Sequence, residues 1–330
     1  MGDVMRVVSG MRPTGKLHIG HLHGALKNWV ELQNSGAECF FFAADFHALT
    51  SDFDKTESIR TNIEEMVIDW LACGVDPEKS AIFVQSQIQE EPELFLLLGM
   101  ITTLGWLERN PTYKDLRQEN SEKDLSNLGF FSYPVMQAAD ILMLDGERVP
   151  VGQDQVPHLE LTREIARRFN HLYGPTLKEP QALLTRFPKI NGTDGRKMSK
   201  SYGNAILLSD SEAEVKTKVM GMLTDPKRAL RKDPGDPDTC NLFPIHVIHS
   251  SPETVEEVRR GCTSAAIGCV DCKKLLLPNL ERDLGEIRAR RQNTLSNPAI
   301  VHAALNQGKD RATEIAQNTL ARVRKAMHLT

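Results

Sequence analysis

The chain has 330 residues, of which 40% are apolar and 25% are charged, and its formal net charge is −4. This composition excludes a small module, global disorder and a wholly basic nucleic-acid binder. The chain begins without a secretory leader, and no apolar run reaches the ~18 residues of a membrane span, so we expect a cytoplasmic protein with no membrane segment. Six cysteines are too few for a disulfide scaffold of this length.

Short apolar runs alternate with helical patterns through the first half of the chain. Strands separated by helices form βαβ units, so we predict an α/β fold with a Rossmann-type, doubly wound parallel sheet. Helical periods broken by prolines follow, and they predict a mostly helical second domain at 191–330 after a first domain at 1–190. The predicted strands are Arg6–Ser9, Cys39–Ala43, Ala81–Val84 and Val149–Val151, and the predicted helices are His21–Asn34, Glu57–Cys73, Glu93–Glu108, Pro134–Leu144 and Val156–Asn170.

A segment rich in glycine and histidine follows the first strand and opens the first helix. In His18-Ile19-Gly20-His21 the two histidines lie three residues apart, so they project from the same side of the helix start. Gly15 and Gly20 remove side chains where a backbone must approach a ligand. Free amides, the helix dipole and two imidazoles then converge on one anion, which suits the phosphates of a nucleotide. A lone histidine would instead be a core or surface residue.

A second motif, Lys197-Met198-Ser199-Lys200-Ser201, lies in a predicted loop about 175 residues further along the chain. Two lysines three apart on a hydroxyl-rich loop can close over developing phosphate charge. By itself the pentapeptide is also compatible with a solvated basic turn or a phosphorylation site. Its occurrence together with the first motif favours a nucleotide-dependent enzyme.

The two motifs together resemble the signatures of class I aminoacyl-tRNA synthetases. Longer blocks are similar to bacterial tryptophanyl-tRNA synthetases, and the similarity covers essentially the whole chain. It implies a catalytic domain at 1–190 that binds ATP and tryptophan. It also implies a phosphate loop and a helical anticodon-binding domain at 191–330. Packing of the C-terminal helix back on the core is compatible with this division. These blocks are Ser9–Gly15, Tyr133–Leu142, Gly152–Gln155 and His158–Asn170.

The resemblance implies a ligase reaction in two steps and a homodimeric enzyme. L-Tryptophan and ATP, with Mg²⁺, give tryptophanyl-adenylate and pyrophosphate, and the tryptophanyl group then passes to tRNA(Trp). Matched positions imply catalytic roles for His18, His21, Lys197 and Lys200. They imply ATP binding by Arg12, Pro13, Thr14, Gly20, His21, Gly152, Gln153, Asp154, Ile190, Lys197, Met198, Ser199, Lys200 and Ser201, and tryptophan binding by Asp140, Tyr133, Gln137, Val149, Val151 and Gln155.

Asp140 is the residue from which we expect amino-acid selection. Indole is only a donor of hydrogen bonds, and a buried carboxylate is a strong acceptor. An acid within the run Ala138–Leu142 is costly to bury without a purpose, although a structural helix acid is the alternative. For Tyr133 and the two pocket valines core packing is an equal alternative, as it is for His47 beside the site. Gln137 stands where many relatives have Met, and Gln153 where relatives often have Glu.

Four cysteines fall within one short stretch of the second half. Cys240, Cys262, Cys269 and Cys272 have the pattern C-x21-C-x6-C-x2-C. A subset of tryptophanyl-tRNA synthetases carries a [4Fe–4S] cluster on a similar pattern, and this chain is one residue shorter in the first gap. We therefore expect a structural [4Fe–4S] cluster, with Zn²⁺ or free thiols as the alternatives.

Three other functions compete with this interpretation. Tyrosyl-tRNA synthetases share the fold and both signatures, and the block His158–Asn170 favours tryptophan over tyrosine. Small nucleotidyltransferases with a similar histidine motif lack the lysine loop and the helical domain. A non-catalytic RNA-binding paralogue would have damaged signatures, whereas both signatures are intact here.

Overall fold

A computed structural model describes residues 5–109, 125–184, 190–225, 227–228 and 230–329. The chain forms two compact units that interleave along the sequence. The first unit comprises Met1–Gly15, Ala25–Arg186 and Asn297–Thr330, and the second comprises Lys16–Gly24 and Phe187–Ser296. The division into a catalytic domain at 1–190 and an anticodon-binding domain at 191–330 stays a prediction.

The first unit is built on a parallel sheet of five strands in the order β3-β2-β1-β4-β5. Its central strands are apolar at nearly every position because helices cover both faces, as expected for a parallel sheet. This arrangement confirms the predicted Rossmann-type fold. The fifth strand was missed because its four residues are mostly exposed at the sheet edge. The strands are β1 (Arg6–Met11), β2 (Glu38–Ala43), β3 (Ser80–Val84), β4 (Arg148–Val151) and β5 (Gln181–Leu184).

Helices connect these strands and enclose the core of the first unit. Two predicted helices are interrupted. A π-helical turn at Leu22–Leu26 breaks the first, and Thr102 and Thr103 divide the predicted helix Glu93–Glu108 into two helices. The predicted start at Pro134 is wrong, because the helix begins at Leu128, where the Asn127 side chain accepts a hydrogen bond from the Phe130 amide. The helices are α1 (Ile19–His21, in the second unit), α2 (Lys27–Asn34), α3 (Asp45–Asp52), α4 (Ile59–Ala72), α5 (Glu90–Ile101), α6 (Leu104–Glu108), α7 (Leu128–Met143) and α8 (Val156–Tyr173).

The second unit is helical, as predicted, and its described residues form only isolated β-bridges. Among the described residues of both units, none of the helices is long and apolar enough to span a membrane. The remaining helices of the chain are α9 (Glu212–Gly221), α10 (Phe243–His249), α11 (Pro252–Thr263), α12 (Cys269–Ser296) and α13 (Ala299–Ala326).

The last helix, α13, belongs to the first unit and packs directly on β3. A Cβ atom at Gly308 would lie 2.0 Å from the Ile82 carbonyl oxygen, so only glycine permits this close approach of helix to strand. Arg322 donates to Asp145 over 2.6 Å, and Arg324 forms a 2.8 Å ion pair with Glu93. The C-terminal helix is therefore an integral part of the core of the first unit.

Candidate active site

The two signature histidines lie side by side at the start of α1 in the second unit. Their ring centroids are 3.8 Å apart. His18 is the N-cap residue, and its Nδ1 accepts a 3.1 Å hydrogen bond from the Gly20 amide. The Nδ1 atom of His21 accepts a 3.3 Å bond from the His18 amide. The sequence predicted that both rings face one side, and the structure adds that both Nδ1 atoms are occupied as acceptors.

Both imidazoles are neutral at physiological pH. Burial, followed by the positive charge of Lys200, lowers the pKa of His18 to about 4. Burial lowers the pKa of His21 to about 3, with His18 and Lys200 contributing further. A neutral imidazole carries one proton, and since each Nδ1 accepts, that proton is on Nε2. The site therefore holds two Nε2–H donors together with the Lys200 ammonium group.

The segment after the lysine loop is hydrogen-bonded to the histidine segment within the same unit. The Ile19 amide donates to the Ile206 carbonyl over 3.0 Å, and the Leu208 amide donates to the Leu17 carbonyl over 2.9 Å. A Cβ atom at Gly20 would lie 2.9 Å from the His18 ring, so this glycine leaves the space that the ring occupies. The two motifs, distant in sequence, thus form one continuous piece of structure.

A buried asparagine holds the lysine loop in shape. The Oδ1 atom of Asn204 accepts from the Ser199 amide over 2.8 Å. Its Nδ2 atom donates to Asp194 over 2.7 Å and to the Lys197 carbonyl over 3.1 Å. The loop presents Lys197 to solvent, whereas Met198 is buried. The side chain of Ser201 lies outside the described part of the chain.

The other residues expected at the nucleotide follow the carboxyl ends of β1 and β4, which are neighbours in the sheet. Ligands of doubly wound folds bind at this point, where the strand order reverses. Arg12 donates to Asp52 over 3.1 Å in the first unit, and Gln153 and Asp154 are exposed. Pro13, Thr14 and Gly152 lie in the same two loops, while Ile190 is buried in the second unit.

Asp140 is 2% exposed and has fixed hydrogen-bond partners from two strand ends. The Gln85 amide group donates to both carboxylate oxygens, at 2.8 and 3.0 Å. His47 Nε2 lies 2.9 Å from Oδ2. The Gln85 oxygen accepts from the Phe46 amide, which fixes the orientation of the Gln85 side chain. A carboxylate has about four acceptor positions, so Asp140 retains capacity for one further donor.

A second buried acid, Glu91, lies within electrostatic reach of Asp140. Burial, followed by the charges of Asp140 and Asp45, raises the pKa of Glu91 to about 9. Burial also raises the pKa of Asp140, while hydrogen bonds from His47 and Gln85 oppose that rise. Among the residues that the structure describes, none is a hydrogen-bond partner of the Glu91 Oε1 atom. Glu91 is therefore neutral at physiological pH, and the hydrogen bonds to His47 and Gln85 favour the ionised form of Asp140 against the effect of burial.

The other residues expected at the tryptophan lie on one face of α7 or on and after β4. Tyr133 and Gln137 precede Asp140 by seven and three residues, a helical spacing that aligns all three. The Tyr133 hydroxyl lies 2.8 Å from His158 Nε2, and His158 Nδ1 lies 2.9 Å from Gln155 Oε1. Val149 and Val151 pack in a small apolar cluster with Ile141 and Leu159.

The four cysteines of the second unit are free thiols in the structure. Burial and then the charges of the other three thiols raise the pKa of Cys272 to about 12, so the four lie within electrostatic reach of one another. Cys272 Sγ also lies 3.4 Å from His246 Nε2. Within the described part of the chain, however, no three His, Cys, Asp or Glu side chains meet in an arrangement that could hold a metal ion.

Known proteins similar to this chain are tRNA synthetases, which agrees with the arrangement of the histidine and lysine motifs. The family model of tRNA synthetases class I (W and Y) matches residues 2–283. A tryptophan–tRNA ligase from Thermotoga maritima is 53% identical and covers 98% of this chain and 99% of its own length. The ligase from Aquifex aeolicus is 46% identical over 98% of this chain and 100% of its own length.

Solved structures similar to this chain are also tRNA synthetases. A Campylobacter jejuni tryptophanyl-tRNA synthetase complexed with ADP and tryptophan superposes with a TM-score of 0.86, at 34% identity over 98% of this chain and 100% of that chain. The tyrosyl-tRNA synthetase of Archaeoglobus fulgidus, at 24% identity and a TM-score of 0.69, shares the fold alone. The chain belongs to the class I tRNA synthetases that serve tryptophan and tyrosine. Within this class it belongs to the tryptophan–tRNA ligases, which it matches over 98% of its residues.

Sequence reasoning missed several residues that position the site. Gln85 follows β3 and Glu91 opens α5, and only their location beyond a predicted strand could have indicated them. His158 was recognised as part of a block, without a role. Asn204 follows the lysine loop directly, so its proximity to the motif was a usable signal.

Proposed function

We propose how the residues of this enzyme share the work of activating L-tryptophan with ATP and transferring it to tRNA(Trp). In the first step a tryptophan carboxylate oxygen forms a bond to the α-phosphorus of ATP. The bond to the β-phosphate breaks, and pyrophosphate leaves with the electron pair. In the second step a ribose hydroxyl at the 3′ end of the tRNA displaces AMP. ATP and tRNA are cytoplasmic, so we place the protein in the cytoplasm.

The phosphate-binding groups are the two signature histidines and the lysine loop. The Nε2–H groups of His18 and His21 donate to phosphate oxygens without adding a fixed charge. Lys197 and Lys200 neutralise the charge that develops on the leaving pyrophosphate, an electrostatic role that acts mainly in the transition state. Mg²⁺ enters with ATP as part of the substrate. The loops at Arg12–Thr14 and Gly152–Asp154 hold the adenosine, and the role of Ile190 at the adenine stays a prediction.

The buried Asp140, with its hydrogen-bond partners His47 and Gln85, is the single observation that carries the choice of amino acid. His47 and Gln85 orient the carboxylate and favour its ionised form, and one acceptor position remains for the indole N–H. Gln137, Val149 and Val151 contribute the walls of the pocket.

Replacement of this carboxylate tests the assignment. Asp140→Ala should raise the KM for tryptophan in ATP–pyrophosphate exchange by about 10–100-fold, because a hydrogen bond to a charged group is lost. The KM for ATP should change little, and Gln137→Ala is the matched control on the same helix face, with a smaller effect. Equal losses for both substrates would assign Asp140 a folding role instead.

The four cysteines are proposed to hold a structural [4Fe–4S] cluster, with Zn²⁺ as the alternative. The donor set suits either group, and the mutual electrostatic effect of the thiols supports their proximity. Anaerobically purified protein should contain about four irons per chain and absorb broadly in the visible, and Cys269→Ser should remove both signals. Stoichiometric zinc would support the alternative, and neither metal would reduce the group to free thiols.

A homodimer is supported by an exposed apolar surface on three adjoining helices. Leu96 and Met100 on α5, Leu104 on α6 and Leu128 on α7 are each more than half exposed. A cavity of about 520 Å³, lined mainly by apolar side chains, lies between α3, α5 and α7. Contiguous apolar surfaces of this kind mark association sites. Sedimentation should give a dimer for the native chain and a monomer for Met100→Glu, and a native monomer would contradict the proposal.

A further inference from the structure

Four polar residues in the first unit form a series of hydrogen bonds that begins at Tyr133, one of the residues expected at the tryptophan. The Tyr133 hydroxyl lies 2.8 Å from His158 Nε2, and His158 Nδ1 lies 2.9 Å from Gln155 Oε1. Gln155 Nε2 in turn donates to the Asp154 carboxylate over 3.0 Å. Tyr133 and His158 are buried, whereas the series of hydrogen bonds ends at the exposed Asp154.

The direction of every hydrogen bond in this series follows from its last member, Asp154. A carboxylate only accepts hydrogen bonds, so Asp154 fixes the Gln155 amide with its NH₂ group toward Asp154 and its oxygen toward His158. That oxygen also only accepts, so the proton of His158 is on Nδ1. His158 carries just one ring proton, because burial lowers its pKa to about 4. Nε2 is therefore an acceptor, and the Tyr133 hydroxyl donates to it.

We propose that His158 is a positioning residue that holds the Tyr133 proton away from the pocket, so that the Tyr133 oxygen selects the α-ammonium group of the amino acid. This inference rests on the proposed tryptophan site. With its proton committed to His158, the hydroxyl oxygen offers only lone pairs, and an ammonium group offers only donors. The opposite tautomer would leave the hydroxyl proton free to point at the ammonium, donor against donor.

The geometry of α7 is compatible with this division of recognition. Tyr133 and Asp140 are seven residues apart on one helix face, which separates their Cα atoms by about 10 Å along the axis. Asp140 accepts from the indole at one end of the pocket, and Tyr133 accepts from the ammonium group at the other. Both ends of the substrate thus meet acceptors whose orientation is set by a buried or half-buried partner.

The test compares two ligands that differ mainly in the ammonium group. Equilibrium dialysis measures the Kd for tryptophan and for indole-3-propionate, and the ratio of the second Kd to the first reports recognition of the ammonium group. His158→Leu removes both hydrogen bonds and should lower this ratio about tenfold or more, the size expected for a hydrogen bond to a charged group. His158→Gln supplies one donor and one acceptor, so it should retain most of the ratio.

A merely structural role for His158 predicts a different result. Both ligands would then weaken equally in His158→Leu, the ratio would be unchanged, and the proposal would be overturned. Tyr133→Phe provides a second route if His158→Leu does not fold, and an unchanged ratio in Tyr133→Phe also overturns it. In the double variant His158→Leu/Tyr133→Phe the losses should not add, because both act through one oxygen. Failure of the native chain to bind tryptophan would instead refute the proposed function.

Discussion

Replacing Glu91 by Gln should make the protein more stable at neutral pH. Burial, Asp140 and Asp45 raise the pKa of Glu91 from 4.5 to about 9, so the folded chain holds a proton that the unfolded chain releases at pH 7. Taking up that proton costs about 1.4 kcal/mol for each pH unit above 4.5, which is about 3 kcal/mol at pH 7. Gln has the shape of the neutral acid and never ionises, so Glu91→Gln removes most of this cost.

The diagnostic measurement is the pH dependence of the difference in unfolding free energy between the native chain and Glu91→Gln. An acid whose folded pKa is raised lowers the stability of the protein as pH rises from 4.5 to about 9. Urea unfolding of the native chain and of Glu91→Gln should therefore coincide near pH 4.5 and diverge by about 1.4 kcal/mol per pH unit above it. Glu160→Gln, whose side chain is 53% exposed, is the control and should leave the pH dependence unchanged. A constant difference between pH 5 and 9 would refute a neutral Glu91.

Two further predictions concern the lysine loop. Lys200→Ala should slow adenylate formation by about 10²–10³-fold in pre-steady-state kinetics, because the Lys200 charge acts on the leaving pyrophosphate. The Kd for tryptophan should be unchanged. A changed Kd with a normal chemical rate would contradict this role. Asn204→Ala should lower kcat with a small effect on Tm, because it removes the bonds to the Ser199 amide and the Lys197 carbonyl. An unchanged kcat in that variant would show that the loop holds its shape without Asn204.

The alternation of strands and helices predicted the sheet of the first unit because buried parallel strands are continuous apolar runs. The same rule missed β5, which lies at the sheet edge and is mostly exposed. The π-helical turn at Leu22–Leu26 was also missed, because the helical spacing of apolar residues continues through it. Periodicity thus reports burial and does not report the local hydrogen-bond pattern.

At the site, sequence reasoning identified Asp140 because an acid among apolar residues is costly to bury. It could not supply the partners of that acid, since Gln85 and His47 lie 55 and 93 residues away in the chain and meet it only through the sheet. The neutral state of Glu91 also depends on the folded surroundings. The acid itself was therefore predictable from the sequence, whereas the partners that affect its ionisation could be found only in the structure.

The central claim is that the Asp140 carboxylate selects tryptophan through its indole N–H. The most direct test is ATP–pyrophosphate exchange by the native chain with tryptophan, with tyrosine, and with the tryptophan analogue in which sulfur replaces the indole N–H. We expect a kcat/KM for tryptophan about 100-fold or more above that for the analogue, because the analogue leaves a buried acceptor unpaired, and no significant exchange with tyrosine. Equal kcat/KM values for tryptophan and the sulfur analogue, or preferential exchange with tyrosine, would contradict it.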